Sequence, residues 1–370
     1  MKSVLFLIPT LDRGGAENVL VNLVNAMDQS KFSITVQTLF DQDSQKDRLA
    51  PGIEYRSFLY KQFHGNSRLM ARIPAAVLYR LIVGKRYDIV VSFLEGPTTH
   101  IAFGCPYKDT KKVAWVHVEM DKHRQMMAGF ATQRAADAGY QAFDKLVFVS
   151  NTVKKRFEET AGHAFENGCV LYNVLDIDRI KEAADEPDSD VIFDNNMVNV
   201  FSVGRLVHAK GYDRLAEIHN ELIQNGYPCH TYVLGTGPER KSLEEYLSKN
   251  NLRDSFTLVG FRDNPYKYLA KADLFVCSSR REGFSTAVSE ALVLGVPVVS
   301  TDCSGARELL GDDEYGVVTD NNKDALYQGI RRLLDDPALL AHYREKALER
   351  GRAFDTKNTV KAVEDMLLGL

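Results

Sequence analysis

The sequence predicts an α/β protein built from two doubly wound domains in series, and three observations carry that prediction. The chain has 370 residues, more than one domain of roughly 100–200 residues usually holds. Short apolar runs alternate with amphipathic stretches, the pattern of strands joined by crossover helices. That rhythm breaks over residues 176–197 and then starts again. Composition agrees, with 45% hydrophobic and 26% charged residues. Those values sit near the globular average and exclude a disordered, collagenous or coiled-coil chain.

The first strand is Val4–Ile8, apolar at every position. A helix follows, with Ala16, Val19, Leu20, Leu23, Val24 and Met27 on one face. Further strands are predicted at 34–39, 89–93, 113–116 and 146–149. None alternates strictly, which suits strands covered on both faces in a parallel sheet. The polar, turn-rich stretches Asp185–Asp190 and Asp194–Asn196 mark the domain boundary. Strands at 199–203, 230–234, 256–259, 274–277 and 296–300 then alternate with helices at 212–225, 238–249 and 286–294, and the last ~45 residues read as helical. Residues 1–180 and 181–354 are thus the two expected domains. A C-terminal helix at about 355–370 can pack back on the first.

Net charge is −4, so no global basic balance points to nucleic acid. The five cysteines are scattered, with no C-x-x-C pair; they read as small buried hydrophobes in a reducing cytosol. Five apolar residues after Met1-Lys2-Ser3 are too few for a signal-peptide core. No run of about 18 apolar residues offers a membrane span, so the expected location is cytoplasmic.

In open parallel sheets, ligands bind where strands hand over to helices, so each junction matters. Gly14-Gly15 opens the first helix; it reads equally as a tight turn and as an anion site at free N–H groups. After the 199–203 strand, Gly204-Arg205…Lys210-Gly211 places a forked and a compact cation on one loop, suited to a diphosphate or simply solvated. After the 274–277 strand, Glu282-Gly283-Phe284-Ser285-Thr286 leads into a helix bearing Glu290. Two carboxylates there suit sugar hydroxyls, and the helix start suits phosphate. Gly235-Thr236-Gly237 is a weaker glycine loop, suited to a planar base or to a turn alone. His117 follows the 113–116 strand and is expected to project from the sheet edge.

Taken in order, these motifs resemble the retaining, nucleotide-sugar-dependent glycosyltransferases of family 4, with the GT-B fold. The resemblance spans nearly the whole chain. Its strongest part is Glu282 to Glu290 with Gly283-Phe284 between, then Val203-Gly204-Arg205 with Lys210-Gly211. Leu171–Asp176 resembles the family's interdomain P-N-G-V-D segment, with Tyr172 in place of the proline and Val174 in place of the glycine.

That resemblance implies two Rossmann-like domains facing a central cleft, acceptor side first and donor side second. It implies His117, Arg205, Lys210 and Glu282 as catalytic residues. Arg205 and Lys210 would hold the donor diphosphate, and His117 would bond the donor sugar near its reacting carbon. Glu282 with the backbone from Gly283 through Phe284 to Ser285 and Thr286 would hold sugar and phosphate. Glu290 would hold the ribose hydroxyls, and Gly15 would approach from the first domain. Gly235, Gly237 and Arg262 would flank the base. The expected reaction moves a hexose or related sugar, UDP-linked by preference, to a glycan or lipid-linked acceptor in cell-surface polysaccharide synthesis. No cofactor is expected beyond that substrate.

Metal dependence would need an acidic triplet. Asp41-Gln42-Asp43, Asp176-Ile177-Asp178 and Asp188-Ser189-Asp190 all read as solvated loop carboxylates, so metal-independent transfer is expected. Residues 61–86 carry Lys61, Arg68, Arg72, Arg80, Lys85 and Arg86 with no acid, interleaved with apolar residues. They read as a basic amphipathic helix, fitted to an anionic membrane surface or to ordinary docking. The rival functions are a nucleotide-sugar epimerase on the same scaffold and a non-catalytic sugar-nucleotide-binding subunit. Donor turnover without acceptor would mark the first, and donor binding without transfer the second.

Overall fold

A computed structural model describes the chain except residues 42–43, 60–68, 121, 188–192 and 194–195. The chain divides into two compact units, 1–175 with 356–370, and 176–355.

In the first unit, seven strands form one parallel sheet in the order β3-β2-β1-β4-β5-β6-β7. They are β1 (Lys2–Ile8), β2 (Phe32–Phe40), β3 (Glu54–Leu59), β4 (Ile89–Ser92), β5 (Lys111–Val116), β6 (Lys145–Phe148) and β7 (Gly168–Val170). Val4 through Ile8 are all fully buried, which is possible only where both faces of the sheet are covered. β1 pairs β2 in register from Lys2–Phe32 to Ile8–Thr38, and β4 on its other side from Val4–Ile89.

The second unit repeats the plan with six parallel strands, β10-β9-β8-β11-β12-β13. They are β8 (Val198–Val203), β9 (Cys229–Leu234), β10 (Phe256–Gly260), β11 (Leu274–Cys277), β12 (Val298–Thr301) and β13 (Val317–Thr319). Val200, Val233, Leu274, Val276 and Val299 share one core with Leu215, Ile218, Leu222, Leu326 and Ile330 from the helices Tyr212–Gln224 and Lys323–Asp335.

Four expectations need correction. The division falls at 175/176 rather than 180/181. Asp176 caps the helix Ile177–Ala184 by accepting from the Arg179 N–H at 3.2 Å. That helix packs on Tyr266–Leu269 and Thr286–Val293 of the second unit, so a stretch read as linker is partly structured. Asp176 is accordingly a cap, not a solvated loop carboxylate; Gln42, Asp43 and Asp188–Asp190 lie outside the described residues. β5 is paired on both sides, by β4 and β6, so His117 does not leave a sheet edge.

The fourth correction concerns residues 61–86. Lys61–Arg68 lie outside the described residues. Beyond them the chain turns before Pro74, and a helix covers Ala75–Ile82. Proline lacks an N–H and disfavours helix in the residue before it, so no single helix runs through Ile73. Leu78, Tyr79 and Ile82 are buried, while Leu69, Val77 and Leu81 are exposed beside exposed Arg72 and Arg80.

The helix Thr356–Leu368 completes the first unit. Val360, Val363 and Leu367 are buried. Glu364 accepts from the Asp28 N–H at 2.6 Å and pairs with Lys31 at 3.2 Å. Lys2 reaches the Leu368 carbonyl at 3.1 Å. No helix among the described residues is long and apolar enough to cross a membrane. All five cysteines are free; Cys229, Cys277 and Cys303 are buried, but Cys105 and Cys169 are only half-buried.

Candidate functional site

The second unit gathers most of the expected residues at the carboxyl ends of its strands. After β8, a loop carries Arg205 and ends in the short turn His208–Lys210. After β11, a second loop carries Glu282. The Lys210 Nζ lies 2.6 Å from Glu282 Oε1, and that oxygen also accepts from Ser279 Oγ at 2.6 Å. Burial works against the Lys210 ammonium, yet the Glu282 carboxylate beside it holds its pKa above the ordinary lysine value. Arg205 is exposed, and its guanidinium makes no hydrogen bond or ion pair to a described residue.

Gly283, Phe284 and Ser285 are buried and lead into the helix Thr286–Val293. Ser285 caps it, its Oγ accepting from the Val288 N–H at 3.4 Å. At this helix start, expected to suit phosphate, Ser285 thus takes one of the N–H groups internally. Glu290 lies one turn in, where Tyr266 Oη donates to its Oε1 at 3.3 Å. Burial pushes the Glu290 carboxyl up to about 7, against the opposing pull of the Tyr266 hydroxyl and the Arg179 guanidinium. Arg179, Tyr266 and Asn264 line a shallow cavity of about 210 Å³.

The loops after β8 and β9 interlock. Gly235 has a φ of +142°, and a Cβ there would sit 1.9 Å from the Gly204 carbonyl oxygen. Gly237 lies against Leu206 in the same way. Pro238 and Glu239 form a turn, and the helix begins at Arg240. Arg262 donates through Nε to Tyr268 Oη at 3.1 Å and through Nη1 to the Phe261 carbonyl at 3.1 Å, so part of its donor set is occupied locally.

Gly15 and His117 belong to the first unit, at the carboxyl ends of β1 and β5. Gly15 is exposed and opens the helix Gly15–Ala26, whose N-cap Gly14 supplies no side-chain bond. His117 is 8% exposed, its ring tilted against Phe93 with centroids 4.7 Å apart. Its Nε2 is buried with no hydrogen-bond partner among the described residues. Burial lowers its pKa from 6.5 to about 3, so the ring is neutral, with a nitrogen left for a ligand.

Several contributors escaped sequence reasoning. Glu95, after β4, accepts from the His117 N–H at 2.5 Å and the Val118 N–H at 2.8 Å, fixing the His117 loop. Ser279 and Tyr266 hold the two expected carboxylates. Pairings across 22, 24 or 72 positions leave no local signal; Ser279 is the exception, three residues before Glu282 in the same loop.

Two parallel sheets with charged and glycine-lined loops at their strand ends define the GT-B class. Residues 13–179 match the family described as Glycosyltransferase Family 4, and residues 185–350 match Glycosyl transferases group 1. The first part of the chain thus matches a family 4 glycosyltransferase domain and the second a group 1 domain, on two parallel sheets like those of the GT-B fold.

Among solved structures, Anabaena HepE in complex with UDP and glucose superposes with a TM-score of 0.78 at 19% identity, covering 100% of both chains. TarM of S. aureus, in complex with Fondaparinux, alpha-GlcNAc-glycerol and UDP, gives 0.78 at 14% identity over 99% of this chain and 100% of that one. Such identities speak for the fold. Among curated relatives, the Campylobacter jejuni N-acetylgalactosamine-N,N'-diacetylbacillosaminyl-diphospho-undecaprenol 4-alpha-N-acetylgalactosaminyltransferase is 35% identical over 54% of this chain and 53% of its own. The lipopolysaccharide core biosynthesis glycosyltransferase LpsD of Rhizobium meliloti is 31% identical over 46% and 48%. The chain thus spans about half the length of the curated relatives it matches.

Proposed function

We propose that this protein transfers a hexose or related sugar, with retention of configuration and without a metal ion, from a nucleoside-diphosphate sugar to a glycan or lipid-linked acceptor. The second unit binds the donor and the first unit the acceptor. The observation that carries this reading is the cluster at the ends of β8 and β11. There Lys210 touches Glu282, a capped helix start follows, and Glu290 stands one turn beyond. Breaking a sugar–phosphate bond builds negative charge on the departing diphosphate. Arg205 and Lys210 stabilise that charge more in the transition state than in the ground state. Glu290, once ionised, accepts from vicinal ribose hydroxyls. His117 offers its neutral, unpartnered Nε2 to the donor sugar.

UDP is the favoured nucleotide; HepE and TarM, similar in fold, were both crystallised with it. A lipid-linked acceptor is favoured by the diphospho-undecaprenol in the name of the C. jejuni relative, and the alpha linkage named there is the one retention gives from an alpha-linked donor. The exposed Leu69, Val77 and Leu81 with Arg72 and Arg80 supply both apolar and cationic contacts for a peripheral site on an anionic, cytoplasm-facing membrane surface.

A thermal-shift screen over UDP-, GDP- and ADP-sugars, followed by product analysis of the best binder, tests the donor. A single UDP-sugar should stabilise the protein and yield an alpha-linked product with undiminished rate in chelator. No shift with any donor would overturn the reading, and inactivation by chelator would overturn its metal-free form. Flotation with anionic and neutral vesicles tests the surface; absence of binding to anionic vesicles would remove it.

A further inference from the structure

The Lys210–Glu282 contact joins two loops that are 72 residues apart, and nothing in either loop alone sets their separation. A third residue does. Arg280 reaches across from the β11 loop by four bonds, two to the β8 loop and two to the helix Tyr212–Gln224 that follows it. Its Nη1 and Nη2 form a forked pair with Asp213 Oδ1 and Oδ2 at 2.7 and 2.8 Å. Its Nη1 also donates to the His208 carbonyl at 2.9 Å. Its backbone N–H donates to the Ala209 carbonyl at 2.7 Å. His208 and Ala209 are the two residues immediately before Lys210.

The seam continues on either side. Ser278 Oγ donates to the Lys210 carbonyl at 2.9 Å. Arg214, buried, donates through Nε to the Ser278 carbonyl at 2.7 Å and through Nη2 to Asn321 Oδ1 at 2.9 Å. Asn321, beyond β13, returns a bond to the Arg280 carbonyl at 3.1 Å. Gly211, with a φ of +67°, lets the backbone come close enough that a Cβ would sit 2.1 Å from the Ser278 carbonyl oxygen. Loops from β8, β11 and β13 are thereby fastened into one frame.

We infer that Arg280 is a positioning residue of the donor site, acting through its fork to Asp213 and its bonds to His208 and Ala209 to set Lys210 against Glu282. The inference deepens the donor-site reading and rests on it for its kinetic consequence. Arg280 touches no reacting group. Its guanidinium pins the backbone that carries the ammonium, and a displacement of about 1 Å at a reacting centre costs on the order of 100-fold in rate. The forked geometry matters as well as the charge, because lysine cannot reproduce it.

The test uses the full chain with Arg280→Met, Asp213→Asn, the double variant and Arg280→Lys. Steady-state transfer with the best donor from the sugar-nucleotide screen, calorimetric titration with UDP, and thermal unfolding are measured together. Arg280→Met should lower kcat by about 10–100-fold with little change in unfolding temperature. The double variant should be no slower than Arg280→Met alone, since both remove one unit, and Arg280→Lys should recover only part of the rate. Kinetic constants within twofold of the parent in a folded Arg280→Met would overturn the inference. So would losses that add in the double variant, or a lowered unfolding temperature with unchanged kcat. A crystal structure of Arg280→Met decides the matter independently of activity. Lys210 and Glu282 drawn apart beyond hydrogen-bond reach would support positioning, and an unmoved 2.6 Å contact would end it. Should the parent protein bind and transfer from no nucleotide sugar, the donor-site reading fails while this structural test still stands.

Discussion

Lys210 and Arg205 share a loop and a sign but not an environment. Lys210 is mostly enclosed and paired with Glu282; Arg205 stands exposed and unengaged by described residues. Stability and turnover should therefore separate. Lys210→Met strands the Glu282 carboxylate and should destabilise the second unit by about 1–3 kcal/mol. Adding Glu282→Gln should restore much of that stability without restoring turnover. Arg205→Ala should leave stability within about 0.5 kcal/mol yet lower kcat by about 100–1,000-fold. Denaturant unfolding beside steady-state kinetics checks both; near-normal turnover in Arg205→Ala would remove it from the diphosphate contact. Glu290 gives a pH signature. Its carboxyl is raised from 4.5 to about 7, so the folded state holds the proton more tightly than the unfolded chain. Its contribution to stability is complete below pH 4.5 and is lost as pH rises through about 7. UDP affinity should run the other way, rising as the carboxylate ionises. Glu290→Gln should flatten both trends in pH-dependent unfolding and calorimetry.

Loops and strands show where sequence reading reaches its limit. Gly235→Ala should cost about 2–4 kcal/mol through backbone clash and positive φ, measurable as a lowered unfolding midpoint of the second unit. A drop under about 0.5 kcal/mol would show that the β8 and β9 loops can move apart. The apolar strands β1, β4 and β11 were legible because burial on both faces writes itself as a near-continuous hydrophobic run. β3 was not, because Glu54–Leu59 is a half-exposed edge with mixed polarity; β7 and β13 have three residues each, too few for any pattern. The helix Ile177–Ala184 buries Ile180 alone, so its surroundings read as linker. The motif loops announced Lys210, Glu282 and Glu290 through glycine and charge. Tyr266, which bonds Glu290, and the links from Arg280 to Asp213 and His208 became visible only once separate elements met in space.

At the scale of the molecule, the chain leaves its first unit at residue 175, builds the second, and returns at 356. The returning helix contributes buried Val360, Val363 and Leu367 and the bonds of Glu364 to Asp28 and Lys31. Val363→Ala should cost about 1–3 kcal/mol in the first unit. Ending the chain after Asp355 should destabilise that unit selectively. Limited proteolysis should then cut first within residues 1–175 while 176–355 resists; equal resistance in both would show the helix to be dispensable.

Residues 356–370 also impose an order on biosynthesis. A ribosome delivers 176–355 as one uninterrupted piece, able to fold as soon as it emerges, whereas the first unit must wait for residues 356–370 to emerge before their helix can reach Asp28 and Lys31. Until then a nascent chain holds a finished second unit tethered to an unfinished first one, a period when exposed apolar surface invites chaperones or aggregation.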